Sequence, residues 1–432
     1  MSRTVSAALT RLLATGALAA ATLLGADARA GARLPCSEVA VFPGAAVNAL
    51  VLPYRSEASA SDPKSAASRL SALIQQELLF SMLKYGSVGA TELTGEPSRC
   101  DVREVIDRVT RPGARTLRRG NGLVVIWGRL YEEKGDLYVQ SYLRFLRAGM
   151  PEIVRSELRA ADSSVELYGR LTAQGAALAP RKVTRQDFAE IERRARETLV
   201  MRRSPQSGAQ VMPLDPDEPG PLSYTVLETR GEWMRIESDY GRGGWVRARM
   251  ETPEWSLRKF LPEIAYADGV VGYLRLLVEG GPSADRQRVL GWMRAAFKEY
   301  ETAVGRDAAP GAQALSRSLY GLVLWNQAGQ RADAAKLFRD ALDYAPSAAD
   351  ARVLAAITAP SAAPTAIDRD AVAQLNRSLL GALAVDPLNP SALANLERLY
   401  AFAIRNAALS PYPVGELPAR LTAINAVRQA RP

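Results

Sequence analysis

Leu199–Met250 reads LVMRRSPQSGAQVMPLDPDEPGPLSYTVLETRGEWMRIESDYGRGGWVRARM. Short runs of alternating apolar and polar residues are cut at close intervals by Pro, Gly and Asp, which predicts a small all-β barrel. On its N-terminal side, residues 31–181 alternate strand and helix signals. On its C-terminal side, residues 256–432 carry few strand signals and many alanines and leucines. The expected fold class is therefore multidomain. It comprises an α/β module with a mixed sheet (31–181), a linker helix followed by the barrel (182–255), and an all-α helical repeat domain (256–432).

Composition narrows the function classes. The chain has 432 residues, 47% hydrophobic and 23% charged, which suits packed domains. Lys+Arg 55 against Asp+Glu 46 leaves +9, spread as isolated arginines that permit anionic partners without requiring them. There is no histidine, which removes His-based bases, triads and metal ligands. Residues 1–30 read as a secretory leader: Arg3 and Arg11 are followed by an apolar run, then Ala28-Arg29-Ala30, so cleavage after Ala30 and a periplasmic location are expected. The apolar run falls short of the ~20 residues of a spanning helix, and no later run reaches that length. Two cysteines, Cys36 and Cys100, form an even pair and suggest one disulfide in an oxidising compartment, with two unrelated buried thiols as the alternative.

Within the central stretch, Leu199, Met201, Arg202 and Pro205 match an opening L-x-V-R-x-x-P. Gly231-Glu232-Trp233 matches G-x-W, and Gly244-Trp245-Val246 matches G-W-V. The stretch thereby resembles the bacterial SH3-like domain family. That resemblance implies a barrel that accompanies envelope proteins and offers a shallow aromatic groove to a peptide or cell-wall stem. Tyr224, Trp233, Tyr240 and Trp245 are the candidate ligand contacts, with barrel core and rim as the alternative role of the tryptophans. Asp215–Gly220 starts like a calcium loop, but Pro219 and Val226 stand where ligands are needed, so no metal is expected.

In 31–181, Ala46–Pro53 reads as a buried strand. Leu70, Leu73, Ile74, Leu78 and Met82 lie on one helical face after a start at Asp62-Pro63. Asp101 with Glu104 forms a capping-box-like start for a short helix. Gly122–Tyr131 is the most apolar strand, and Leu137, Val139, Leu143 and Phe145 mark its half-exposed hairpin partner. The expected pattern is β-α-β-α-β-β with helices on one face, plus a further strand or two between Pro151 and Leu178. The element order, the strand containing Trp127-Gly128 and the hairpin after it resemble the small α/β modules that open TolB-type envelope proteins. The resemblance implies protein contacts and no catalysis. Gly120-Asn121-Gly122 leads into a strand instead of following one and fails as a dinucleotide loop. Arg111, Arg115, Arg118 and Arg119 read as a solvated loop, with an anion clasp as the alternative.

In the last part, Trp325, Gly329, Ala334, Phe338, Ala341 and Pro346 fall at the spacing of the tetratricopeptide repeat, and partial copies flank them. The segment resembles that family, with one departure: Leu322 stands where a small residue is usual and Gly321 lies one place earlier. Such stacks expose a concave face for peptides or helices, and Arg317, Tyr320, Asn326 and Gln327 are its candidate partner-binding residues.

These readings converge on a periplasmic, non-enzymatic scaffold or adaptor of the cell envelope. Other envelope proteins are expected to bind through the helical repeats and peptidoglycan is a candidate ligand of the barrel. No cofactor, no nucleic acid and no transmembrane segment in the mature chain are expected. The alternative is a carboxylate-dependent cell-wall hydrolase or its regulatory subunit.

Overall fold

The structure is a computed structural model. It describes residues 30–430 apart from 43, 58–69, 72, 75–76, 79–80, 82–87, 97–98, 114–115, 148–152, 161–162, 185, 188, 191–192, 194–199, 213–223, 231–232, 239–242, 248–260, 279–282 and 361–366. The leader expected at 1–30 lies, apart from Ala30, outside the described residues, as does the helix start at Asp62-Pro63. Among the described residues no helix is long and apolar enough to cross a membrane. The chain divides into two compact units, one of residues 1–148 and 180–285, the other of 149–179 and 286–432.

The first unit is built on a mixed sheet in the order β1-β4-β2-β5-β6-β10, from strands β1 (Ala30–Pro35), β2 (Val47–Val51), β4 (Val88–Thr94), β5 (Gly122–Glu133), β6 (Asp136–Arg147) and β10 (Arg181–Lys182). The pairs β1–β4, β4–β2 and β2–β5 are parallel, and β5–β6 and β6–β10 are antiparallel. A short β3 (Arg55–Ser56) continues the line of β2 along β5. The mixed α/β sheet expected here is present. β2 is buried throughout, as a central parallel strand covered on both faces must be.

One face takes α1 (Val102–Thr110). Its Val105, Ile106 and Val109 pack with Leu50, Leu52, Leu123 and Val125 around the Cys36–Cys100 disulfide. Asp101 caps this helix by accepting from the Arg103 and Glu104 amides at 2.9 and 3.0 Å. The opposite face takes α2 (Pro262–Val278), in which every residue from Pro262 to Leu274 is buried. Leu274 lies against Gly122, Tyr273 meets Phe145 edge-on at 6.0 Å, and Glu263 pairs with Arg181 at 2.9 Å. Helices therefore cover both faces, where one was expected, and the boundary drawn at 255 does not separate α2 from the sheet. A helix apolar all round requires cover on every side, and the sheet supplies part of it.

The segment from β11 to β15 forms a five-stranded antiparallel sheet in the order β12-β11-β15-β14-β13, from β11 (Met201–Arg202), β12 (Val211–Met212), β13 (Tyr224–Arg230), β14 (Trp233–Ser238) and β15 (Gly243–Arg247). Lys182, expected to begin the linker helix, instead belongs to β10, paired with Tyr138. Helical positions first occur at 186 and 187, where Asp187 accepts from the amide and hydroxyl of Thr184.

The second unit is a helical array: α3 (Ser283–Val304), α4 (Pro310–Val323), α5 (Arg331–Tyr344), α6 (Ala349–Thr358), α7 (Arg369–Val385), α8 (Pro390–Arg405) and α9 (Leu417–Gln429). From α4 onward each helix packs on the next. The departure seen at Gly321 and Leu322 has a structural counterpart. A Cβ on Gly321 would lie 2.8 Å from Phe338 Cε1, so Gly321 is the small residue that lets α4 and α5 approach. The π-helical turn Leu324–Ala328 that follows it accommodates one extra residue before Gly329 closes the helix at φ 66°.

Strands are present between Pro151 and Leu178 as expected, but the first two form a sheet of their own in this second unit and do not join the mixed sheet. β7 (Ile153–Arg159) and β8 (Ser164–Arg170) form an antiparallel hairpin, and β9 (Gly175–Ala177) follows. The hairpin buries Val154, Ser156, Leu158, Val165, Leu167 and Gly169 on one face, against α6 and α8, and β9 lies on α4.

Candidate functional site

The sheet order places β2 between β4 and β5, so the chain leaves β2 to one side and later returns on the other. That reversal is a topological switch point, where open α/β sheets leave a crevice beyond the carboxyl ends of their strands. A cavity of about 410 Å³ occupies this position. Its walls come from the segment after β2 (Leu52, Pro53, Arg55, Glu57), the carboxyl half of β5 (Trp127, Gly128, Arg129), the facing part of β6 (Tyr142, Arg144) and the start of α1 (Cys100–Arg103).

Strand alternation explains the lining. Trp127 pairs with Tyr142, Arg129 with Gln140 and Tyr131 with Tyr138 across the β5–β6 ladder, so all six lie on the α1 side of the sheet. Trp127 and Tyr142 stack at 5.8 Å and 20°, and Tyr131 and Tyr138 at 5.5 Å and 17°. The Arg129 guanidinium lies 4.8 Å above the Tyr131 ring and pairs with Glu57 at 3.3 Å. Burial, outweighing the nearby Arg129, pushes the Tyr131 phenol up. Arg55, Arg103 and Arg144 are exposed at the rim. The cavity thus joins an aromatic surface to four guanidiniums and two carboxylates.

The residues singled out in the five-stranded sheet are distributed differently. Trp233 and Trp245 are buried, and the β14–β15 register puts them on one face of their sheet. That face also carries the exposed Arg235 and Arg247, and the Arg230 guanidinium lies 5.2 Å from the centre of the Trp245 ring. Tyr224 lies in β13, and Tyr240 lies outside the described residues. Arg118 and Arg119 are exposed in the loop before β5.

In the helical unit, two of the four expected partner-binding residues, Arg317 and Asn326, make contacts within the unit. Arg317 pairs with Glu301 at 2.7 Å, donates to Tyr344 Oη at 3.0 Å and lies over the Tyr344 ring. Burial pushes Glu301 up, but the hydrogen bonds from Arg317 and Tyr344 outweigh it and hold the carboxyl below its usual range. Tyr320 is half-buried, its phenol pushed up chiefly by burial. Asn326 donates to the Ile153 carbonyl at 3.4 Å, and Gln327 lies in the π turn.

The face made by α6 and α8 carries the chain's own hairpin, and the π turn after α4 reaches its edge. Asn395 of α8 holds the Tyr168 backbone at both ends, accepting from its N–H at 2.8 Å and donating to its carbonyl at 2.6 Å. Trp325 Nε1 donates to the Arg155 carbonyl at 3.0 Å, and Ser156 Oγ to the Ile357 carbonyl at 2.6 Å. These are the contacts a helical array makes with an extended peptide, here made to β7 and β8. Asn395→Ala should cost about 2 kcal/mol by leaving both backbone groups of Tyr168 without the side chain that pairs them. Urea denaturation followed by helical circular dichroism measures it, and an unshifted midpoint would show that the clamp contributes nothing.

Comparison with protein-family models, with curated proteins and with solved structures finds no match to this chain.

Proposed function

We propose that this chain is a periplasmic binding protein of the bacterial envelope, a scaffold or adaptor without catalytic activity, that contacts its partner through the cavity of the sheet unit. The five-stranded sheet is read here as the SH3-like barrel and the paired helices as tetratricopeptide-like repeats. The observation that carries the proposal is the coincidence of cavity and switch point, with arginines and aromatic rings gathered from four separate segments. The Cys36–Cys100 disulfide supports export, since such bonds persist in oxidising compartments. The hairpin seated on α6 and α8, with β9 on α4, moves the expected contact away from the helical face.

A photo-crosslinking residue at Arg144 should give a discrete adduct in living cells, recovered by osmotic shock. The same residue at the exposed Lys336 of α5 should give none. Equal labelling at the two positions, or no adduct at Arg144, would overturn the assignment of the contact. Recovery of the protein only in the carbonate-washed membrane pellet would overturn the periplasmic assignment.

A further inference from the structure

We infer that the cavity at the switch point recognises an acidic saccharide, a hexose-sized ring carrying a carboxylate or a phosphate. The inference rests on the proposal that this cavity is the contact site and names the group it takes. Three properties of the lining lead to it.

The first is charge. Arg55, Arg103, Arg129 and Arg144 face Glu57 and Asp101, so cations outnumber anions in the lining. Glu57 is paired with Arg129, and Asp101 accepts from the first turn of α1. A guanidinium presents a planar fork of donors that fits both oxygens of a carboxylate or two of a phosphate.

The second is shape. Trp127 and Tyr142 stack with their rings 20° from parallel, and both line the cavity, offering it apolar aromatic surface. A pyranose has a flat face of C–H groups that suits such a surface, and aromatic side chains lose little rotamer entropy on contact. At about 410 Å³ the cavity lies near the lower end of small-molecule sites, which matches one ring with a substituent better than a long chain.

The third is the mixture of donors and acceptors. Sugar hydroxyls both donate and accept, and the carboxylates of Glu57 and Asp101 stand among the arginines as acceptors. A site for bare phosphate has no use for them, because a carboxylate repels it.

Isothermal titration of the intact mature protein with glucuronic acid, glucose 6-phosphate, glucose and inorganic phosphate tests the inference. At least one of the two acidic sugars should bind saturably, and which one binds identifies the oxyanion. Glucose should bind at least tenfold more weakly. Arg144→Ala should weaken the acidic sugar roughly tenfold, the loss of one charge-assisted hydrogen bond, while Lys336→Ala leaves it unchanged. Absence of binding by both acidic sugars, equal affinity for glucose, or an Arg144→Ala protein that binds as before would overturn the inference. Inorganic phosphate binding as tightly as the sugar acids would overturn its saccharide part. A crosslinked adduct at Arg144 without acidic-sugar binding would leave the contact site standing and sink only the ligand class.

Discussion

Replacing Cys36 and Cys100 together by alanine is expected to lower the stability of the sheet unit by roughly 4 kcal/mol, from the entropy of the loop their disulfide closes. The bond joins positions 64 residues apart, with Cα atoms 5.5 Å apart. The loop contains β2, β4 and the segment between them, so without the bond the unfolded chain gains freedom over much of the sheet. Both sulfurs are buried among Leu50, Leu93 and Ile106, and alanine adds no unsatisfied polar group there. Calorimetry of the oxidised protein and of the double variant should show one transition moving down and the other unmoved. Coincident transitions would mean that the bond is not structural. Cys100 also precedes the Asp101 cap and lines the cavity, so binding at the cavity should weaken along with stability.

Gly128→Ala should be nearly as damaging, at about 3 kcal/mol for one added methyl. A Cβ there would lie 2.1 Å from Tyr54 Cε1 and 2.6 Å from the Gln140 carbonyl oxygen. Neither neighbour has room to yield. Tyr54 is 1% exposed, its hydroxyl donates to Ser141 Oγ at 3.0 Å, and its amide donates to Ser71 Oγ at 2.9 Å. The Gln140 carbonyl belongs to the β5–β6 ladder. Burial drives the Tyr54 phenol well above its usual range, so it stays neutral. Urea denaturation of the variant, read against Gly208→Ala, an exposed glycine with open space at its Cβ position, as a surface control, measures the effect. Equal midpoints for Gly128→Ala and the parent would show that the sheet absorbs the methyl. Glycine is required at 128 because a ring and a strand meet the backbone there, whereas at 135 the requirement is the φ of 82°.

The parts of this protein that were legible in sequence are those whose signal is local. The apolar run at Gly122 and the alternation after Leu137 mark the β5–β6 hairpin. The spacing of Asp101 and Glu104 marks the start of α1, and the first carboxylate caps it as expected. The small-and-large pattern from Trp325 to Ala341 marks a packed helix pair, and even its one-residue irregularity corresponds to a π turn. The cavity was not legible. Its arginines and aromatic rings lie at 55, 103, 127–129 and 142–144, and no window contains them together. Trp127 was visible only as part of a strand, and Arg144 only as the polar half of an alternation.

By itself the sequence determined the strands of the β5–β6 hairpin, the start of α1 and the packed helices on either side of Gly329, because those properties depend on residues two to four positions apart. It also determined the chemistry at hand, arginines and carboxylates without histidine. Tertiary structure decided what each apolar side meets: α2 on the sheet and not in the helical array, the 153–170 hairpin on the helices and not in the sheet. An apolar face carries no address for its partner. That choice depends on shape and on backbone groups such as those of Tyr168 finding Asn395, across 227 residues of chain. The cavity follows from the same decision, since only the order in which β4, β2 and β5 lie side by side creates the switch point where it opens.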